Sequence, residues 1–237
     1  MRLFWLALAG LAAAAQAQES VTLHYYERPP YAMPGLEGDV GGLIADRVTQ
    51  AMTRTTVPFS WRQTPAKRLL ALIESNRGRD CGVGWYKTPE RELIAQFSKP
   101  VYIDHPAVAI VRPSFGLAPG TTLRQVFDDP RLRLLMKDGL TYGAYMRGLM
   151  ASYRAQVQVV TVEQVQMVRM IAAGRADMMF GPQEEARYLV SHVDPSLRIL
   201  NFPDAPAGEA RYLMCSKRVD PLTLALINAA LDARAGK

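Results

Sequence analysis

The chain has 237 residues, 49% hydrophobic and 21% charged, with 28 Lys and Arg against 22 Asp and Glu for a formal net charge of +6. That composition belongs to a globular protein, not to a disordered or fibrous one. The basic excess is spread along the chain with no run of five or six like charges, and no zinc-finger, recognition-helix or aromatic RNA-binding pattern accompanies it. Nucleic acid is therefore not an expected partner.

Residues 1–17 read as a cleavable signal peptide. Arg2 gives a positive start, residues 3–15 are an apolar run, and Ala15-Gln16-Ala17 forms a small-residue cleavage site. The run falls short of the ~20 apolar residues that span a bilayer. Export to the periplasm as a soluble chain is the expectation.

From residue 21 onward, strand and helix patterns alternate. Val21, Leu23 and Tyr25 alternate as in a strand, and Leu43, Ile44, Val48, Ala51 and Met52 recur at helical spacing. Val57, Phe59 and Trp61 alternate again. Thr64 then stands as a cap before Pro65 and a helical face of Ala66, Leu69, Leu70 and Ile73. Residues 81–85 make a third strand, and 97–111 are extended because Pro100 and Pro106 oppose a helix. A Pro/Gly/Ser-rich stretch, 112–120, marks a boundary.

The alternation then repeats, with strands at 132–136, 157–162, 177–180 and 197–202 and helices at 141–153, 163–174 and 183–190. Residues 203–208 form a second Pro/Gly-rich crossing, followed by a strand at 211–216 and a helix at 221–231. This order predicts α/β lobes built on parallel sheets. The expected division is 18–112 with 204–237 as lobe 1 and 113–203 as lobe 2. A ligand would lie in the cleft between them, where strand ends and helix N-termini converge.

One stretch carries more than pattern. Tyr86-Lys87-Thr88-Pro89-Glu90-Arg91, followed by Phe97-Ser98-Lys99-Pro100-Val101-Tyr102, resembles the T-x-E-R…F-S-x-P-x-Y signature of bacterial periplasmic solute-binding proteins of the polar-amino-acid type. The likeness extends to Tyr26-Glu27-Arg28-Pro29-Pro30-Tyr31, to residues 38–46, to Gly139-Leu140-Thr141-Tyr142 and to Ala173-Gly174-Arg175-Ala176-Asp177. It implies the two-lobed periplasmic-binding-protein-like fold of type II, each lobe a sheet flanked by helices. It also implies capture of a small polar, carboxylate-bearing solute such as an amino acid, for delivery to an ABC permease. No cofactor, no metal and no second copy of the chain are expected.

The resemblance places Arg91 on the solute's carboxylate, which a guanidinium meets with two charge-assisted hydrogen bonds. The plain alternative is a surface arginine pairing with Glu90, Glu92 or an adjacent strand. Thr88 either donates to the solute or caps the helix opened by Pro89-Glu90. Trp85 and Tyr86 alternate on the strand, and the resemblance puts Tyr86 in the cleft. Tyr31 either stacks on the solute or stiffens a turn, and Glu27 either binds a cationic group or faces water. Thr141 serves as a helix cap, a ligand donor or both, and Tyr142 is a further candidate. The strands holding Cys81 and Cys215 are neighbours in the resembled fold, so a disulfide is implied; two buried thiols are the alternative.

Two departures stand out. The aspartate that holds the ligand's ammonium is missing, since residues 180–185 read Phe-Gly-Pro-Gln-Glu-Glu; Glu184 or Glu185 either replaces it or is a solvated first-turn residue. Bulky Val83, Trp85 and Tyr86 also replace small hydroxyl residues. Two other functions fit the same fold. One is a dehydratase-like enzyme using Glu27 and Glu184 as acid and base. The other is a ligand-sensing subunit.

Overall fold

The computed structural model describes residues 19–233; the expected signal peptide, 1–17, lies outside them. The chain opens with β1 (Val21–Tyr25), a short hairpin of β2 (Met33–Pro34) and β3 (Val40–Gly41), and α1 (Ala45–Met52), followed by β4 (Phe59–Gln63) and α2 (Ala66–Ser75). Next come β5 (Asp80–Trp85), α3 (Pro89–Ile94), β6 (Gln96–Phe97), β7 (Tyr102–Ile103) and β8 (Ala107–Val111). Then follow α4 (Leu123–Asp128), β9 (Arg133–Lys137), α5 (Gly143–Met150), β10 (Gln156–Val160), α6 (Gln164–Ala172), β11 (Met178–Pro182) and α7 (Gln183–His192). The chain closes with β12 (Arg198–Leu200), β13 (Ala210–Cys215) and α8 (Pro221–Asp232).

Two sheets result, and they share one plan. The first runs β4-β1-β5-β13-β6 and the second β10-β9-β11-β8-β12. In each, three parallel strands come first, and the fourth is antiparallel and arrives from the other lobe. Strands buried on both faces read as nearly continuous apolar runs. Accordingly β8, Ala-Val-Ala-Ile-Val, is buried from its second residue on, and β1 buries His24 as well as Val21, Leu23 and Tyr25. His24 is satisfied there by Thr64 Oγ1 and Asp80 Oδ1, each 2.8 Å away.

The chain passes from the first sheet to the second between β7 and β8 and returns between β12 and β13. The expected boundary at 112–120 therefore falls inside the second lobe. Strand β8 pairs with β11 and β12, because its two apolar faces need cover from helices on both sides of that sheet. The two crossings lie against each other: a Cβ on Gly208 would sit 1.6 Å from the Asp104 carbonyl oxygen, so only glycine fits.

Other local expectations shift for identifiable reasons. Thr64 bonds His24 and leaves the start of α2 to Pro65. Helix α5 covers Gly143–Met150 of the expected 141–153. Helix α4, unread in the sequence, is opened by a capping box in which Thr122 and Gln125 satisfy each other's backbone N–H groups. Cys81 and Cys215 face each other across β5 and β13 and form a disulfide, both fully buried.

Candidate functional site

In an open α/β sheet the ligand crevice lies at the carboxyl ends of parallel strands, where the strand order reverses. Both sheets reverse in the same place, between β1 and β5 and between β9 and β11. Four segments therefore meet in the cleft: residues 26–31 after β1, 86–91 after β5, 138–142 after β9 and 183–185 after β11. All the sequence-expected ligand residues lie on these segments.

At the centre of the cleft is an ion pair between lobes. Arg28 donates from Nε to Glu185 Oε1 at 2.6 Å and from Nη2 to Glu185 Oε2 at 2.8 Å. Both residues are buried, 8% and 3% exposed. Gln164 adds a donor to Glu185 at 3.1 Å, and Arg28 Nη1 donates to the Tyr26 hydroxyl at 2.9 Å. Burial alone would weaken the Arg28 cation, but the Glu185 charge outweighs it and raises the guanidinium pKa well above its ordinary value. Of the two acidic residues considered for the missing aspartate, Glu185 is thus neither solvated nor free.

A second guanidinium lies deeper. Arg211, on β13, is 2% exposed and donates from Nε to both oxygens of Asp104 at 2.8 and 2.9 Å. Its flat face lies 4.4 Å from the Tyr31 ring centroid and 4.4 Å from that of Tyr86. Tyr86 donates its hydroxyl to Asp104, and Arg211 Nη2 donates to the Tyr86 oxygen at 3.0 Å. Tyr31 belongs to this buried cluster. Its ring is 3% exposed, packs in the first-lobe core and stacks on Arg211, so it lines neither cavity described below. Tyr86 does reach the cleft, though its hydroxyl is committed to Asp104.

Arg91 differs from both. It is half-buried, donates to the Tyr86 carbonyl at 2.9 Å, and reaches across to the second lobe, where Thr141 Oγ1 accepts from Nη2 at 3.1 Å. Its guanidinium lies 4.6 Å over the Trp85 ring. Among the described residues no carboxylate lies within ion-pair distance of it. Burial lowers its pKa, the opposite direction to Arg28 and Arg211, and Tyr26 and Glu90 offset this only in part. Of the alternatives, no ion pair with Glu90 or Glu92 forms, whereas the bond to the Tyr86 carbonyl ties Arg91 to the end of the adjacent strand β5.

The remaining expected residues separate. Thr88 is 6% exposed and caps α3, its hydroxyl accepting from the Arg91 backbone N–H at 3.3 Å; it lines neither cavity. Tyr142 accepts from the Lys137 backbone N–H at 2.7 Å, and burial pushes its pKa up to about 12. Glu27 is exposed on the rim. Glu184 accepts from the Tyr102 hydroxyl and the His105 backbone N–H, each at 2.9 Å. Burial would raise its pKa, but hydrogen bonds from His105 and Tyr102 win and lower it. Glu209, beside the second crossing, accepts from the Ala144 N–H at the start of α5, where Gly143 has φ +86° and leaves room for the carboxylate.

Two spaces flank the Arg28–Glu185 pair. One, small and partly open to solvent, is walled by Tyr86, Thr141, Tyr142, Met146, Phe180 and Pro182, with Arg28 at one side. The other is a groove of about 1620 Å³, open to solvent, with Tyr26, Glu27 and Lys67 facing Leu140, Glu163 and Glu185. An exposed pair, Lys67 with Asp138 at 2.6 Å, crosses its mouth. Sequence reasoning missed Arg28, Asp104, Arg211 and Glu209 as cleft residues. Arg28 alone left a signal, a charged residue between a buried strand and a Pro-Pro pair. No group of three or more His, Cys, Asp or Glu suited to a metal occurs among the described residues.

No protein-family model and no curated relative matches the sequence. Solved structures do match. An arginine-bound variant of ArgBP from T. maritima is 19% identical with a TM-score of 0.72, covering 90% of this chain and 95% of that one. A structure described for glutathione import via GshT and the cystine ABC importer TcyBC of Streptococcus mutans is 12% identical, with a TM-score of 0.75, covering 91% and 89%. An ancestral amino acid-binding protein, described as a precursor of cyclohexadienyl dehydratase, is 16% identical with a TM-score of 0.72, covering 91% and 89%. At these identities the likeness establishes the fold: the chain has the two-lobed α/β architecture of these binding proteins.

Proposed function

We propose that this protein is an exported solute-binding protein that captures a small carboxylate-bearing solute in the inter-lobe cleft and presents it to an ABC permease as a monomer. One observation carries the reading. Arg91 is a partly desolvated guanidinium that has no carboxylate partner among the described residues and faces a hydroxyl of the opposite lobe. A guanidinium in that position favours an anion, because burial strengthens electrostatic attraction and a carboxylate matches its donors. The solute's carboxylate takes the place of the Arg91–Thr141 hydrogen bond, which separates Arg91 from the cavity that Tyr86, Thr141 and Tyr142 border.

The chemistry of closure supports binding without turnover. Glu184, one of the two carboxylates that could act as acid or base, has a lowered pKa and is turned onto Tyr102 and His105. The amino-acid-binding proteins among the solved neighbours agree with this reading, as does the absence, among the described residues, of a helix long and apolar enough to cross a membrane.

Titration calorimetry with a library of small carboxylic acids, amino acids included, tests it. The Arg91→Ala variant is expected to lose about 10- to 100-fold in affinity, the worth of a charged hydrogen-bonded contact. Undiminished binding by that variant removes Arg91 from the site.

A further inference from the structure

We infer that the solute joins its carboxylate to a methylated, quaternary ammonium, and that Glu209 receives that cation. The inference rests on the reading that Arg91 takes a carboxylate, and it names the other end of the molecule.

Besides three tyrosines, four ionisable side chains line the small cavity beside Thr141: Arg28, Asp104, His105 and Glu209. Three of them are answered within the protein. Arg28 is held by Glu185, Asp104 by Arg211, and His105 by Glu184 at 2.6 Å. Glu209 has no ion pair among the described residues. Its Oε1 accepts from the Ala144 N–H, and the start of α5 brings about half a positive charge to it, so part of the negative charge stays uncompensated. Gly143 makes room for the carboxylate, since a Cβ there would lie 2.7 Å from Oε1. The cavity therefore favours a cation, as Arg91, beyond the Thr141 hydroxyl, favours an anion. A solute with one charge of each sign meets both.

The rest of the wall selects the kind of cation. Tyr86, Tyr142, Tyr145 and Phe180 bring four rings to it, with Met146 and Pro182 beside them. Aromatic faces attract cations, and a quaternary ammonium is the ligand that exploits this most. The cleft already settles its own cations on rings: Arg211 lies 4.4 Å from the centroids of Tyr31 and Tyr86, and Arg91 lies 4.6 Å over Trp85. Among the described residues, Tyr142 and Tyr145 stack on no other ring and carry no cation of the protein. Side-chain acceptors are scarcer. The Tyr86 hydroxyl is shared between Asp104 and Arg211, the Tyr142 oxygen accepts from the Lys137 N–H, Tyr145 donates to Asp204, and Thr141 Oγ1 accepts from Arg91. A primary ammonium carries three donors into such a place, and each one left unmet is costly. A quaternary ammonium carries none, and its methyl groups suit the apolar wall around the Glu209 charge.

Titration calorimetry on the exported, disulfide-bonded chain with two matched trios decides the matter. The first is glycine betaine, glycine and tert-butylacetate, which has the shape of the betaine without its positive charge. The second, with the charges further apart, is γ-trimethylammoniobutyrate, γ-aminobutyrate and the tert-butyl isostere of the former. In the better-bound trio the quaternary compound is expected to exceed both companions by roughly tenfold or more. Glu209→Gln should cost that compound roughly tenfold and leave the uncharged isostere unchanged. Should the variant fail to fold, the ranking on the native chain decides alone. Tighter binding of the primary ammonium overturns the inference, as does an isostere that binds as well as the quaternary compound. An equal loss of both in Glu209→Gln overturns it too, because the residue then acts on structure and not on charge. Silence from all six compounds while another carboxylic acid binds through Arg91 overturns this inference and leaves carboxylate capture standing. Silence from every acid overturns both readings.

Discussion

The two lobes share a strand plan and differ in almost everything placed upon it. The first contributes the guanidiniums Arg28, Arg91 and Arg211 and ties its sheet with the Cys81–Cys215 disulfide. The second contributes Glu184, Glu185 and the Thr141 hydroxyl, and its sheet is packed on both faces by apolar side chains. Six buried methionines, Met136, Met146, Met167, Met170, Met178 and Met179, fill those layers, a residue type that adapts to irregular gaps. Closure is therefore a meeting of cations with anions. The first lobe is stiffened covalently against its own clustered positive charge, whereas the second relies on packing, ion pairs and helix-start hydrogen bonds without a covalent link.

The sharpest way to break this comparison is to remove the staple. The disulfide links residues 134 positions apart, and a chain-entropy estimate for such a loop gives about 5 kcal/mol. Replacing both cysteines by serine should lower stability by about that amount, and the loss should fall on the first lobe. Denaturant unfolding followed by Trp61 and Trp85 fluorescence, both in that lobe, should then precede loss of far-UV circular dichroism. Coincident transitions would show that the lobes unfold as one and that the staple protects both.

The next effect joins the lobes. Arg28→Gln leaves Glu185 buried without its partner, and breaking such a pair costs about 3–5 kcal/mol. Arg28→Met with Glu185→Met removes both charges and should recover most of that loss. Denaturant midpoints of the three proteins measure this. A double variant no better than the single one would mean that packing around the pair, not its charge, holds the lobes together.

How far these differences could be read from sequence depends on the kind of interaction. Alternation in β4 and the apolar spacing of α1, α2 and α6 follow from burying one face, so the lobes and most of their elements are legible. The boundary was not. Strand β8 reads as a continuation of the first lobe until its pairing with β11 is known, because a doubly buried strand looks alike in either sheet. Arg91 and Thr141 are legible because a local motif carries them. Arg28, Glu185, Asp104 and Arg211 pair across separations of 157 and 107 residues, and no local period encodes such pairs. Tyr31 shows the cost: its sequence context offered a stacking residue or a stiff turn, and neither foretold that Arg211 lies against its ring.

The smallest effect separates the lobes by pH. In the second, Asp204 accepts from the Leu123 and Arg124 N–H groups at the start of α4 and from the Tyr145 hydroxyl, at 2.7, 3.2 and 2.6 Å. Burial would raise its pKa, but these donors win and lower it; Asp177, held by Arg133 and Arg112, shifts the same way. A carboxylate whose folded pKa is depressed gives stability that is present above its unfolded value, about 3.9, and is lost as pH falls through the folded one. In the first lobe Asp220, the cap of α8, is shifted likewise, so acid weakens both lobes and the second through more groups. Asp204→Asn turns three charge-assisted hydrogen bonds into neutral ones and should cost about 1 kcal/mol near neutral pH. It should also flatten the acid limb of a stability–pH profile between pH ~5 and ~3, because the substituted amide no longer titrates. An acid limb as steep as the native one would place the titrating group elsewhere and return the two lobes to equal footing.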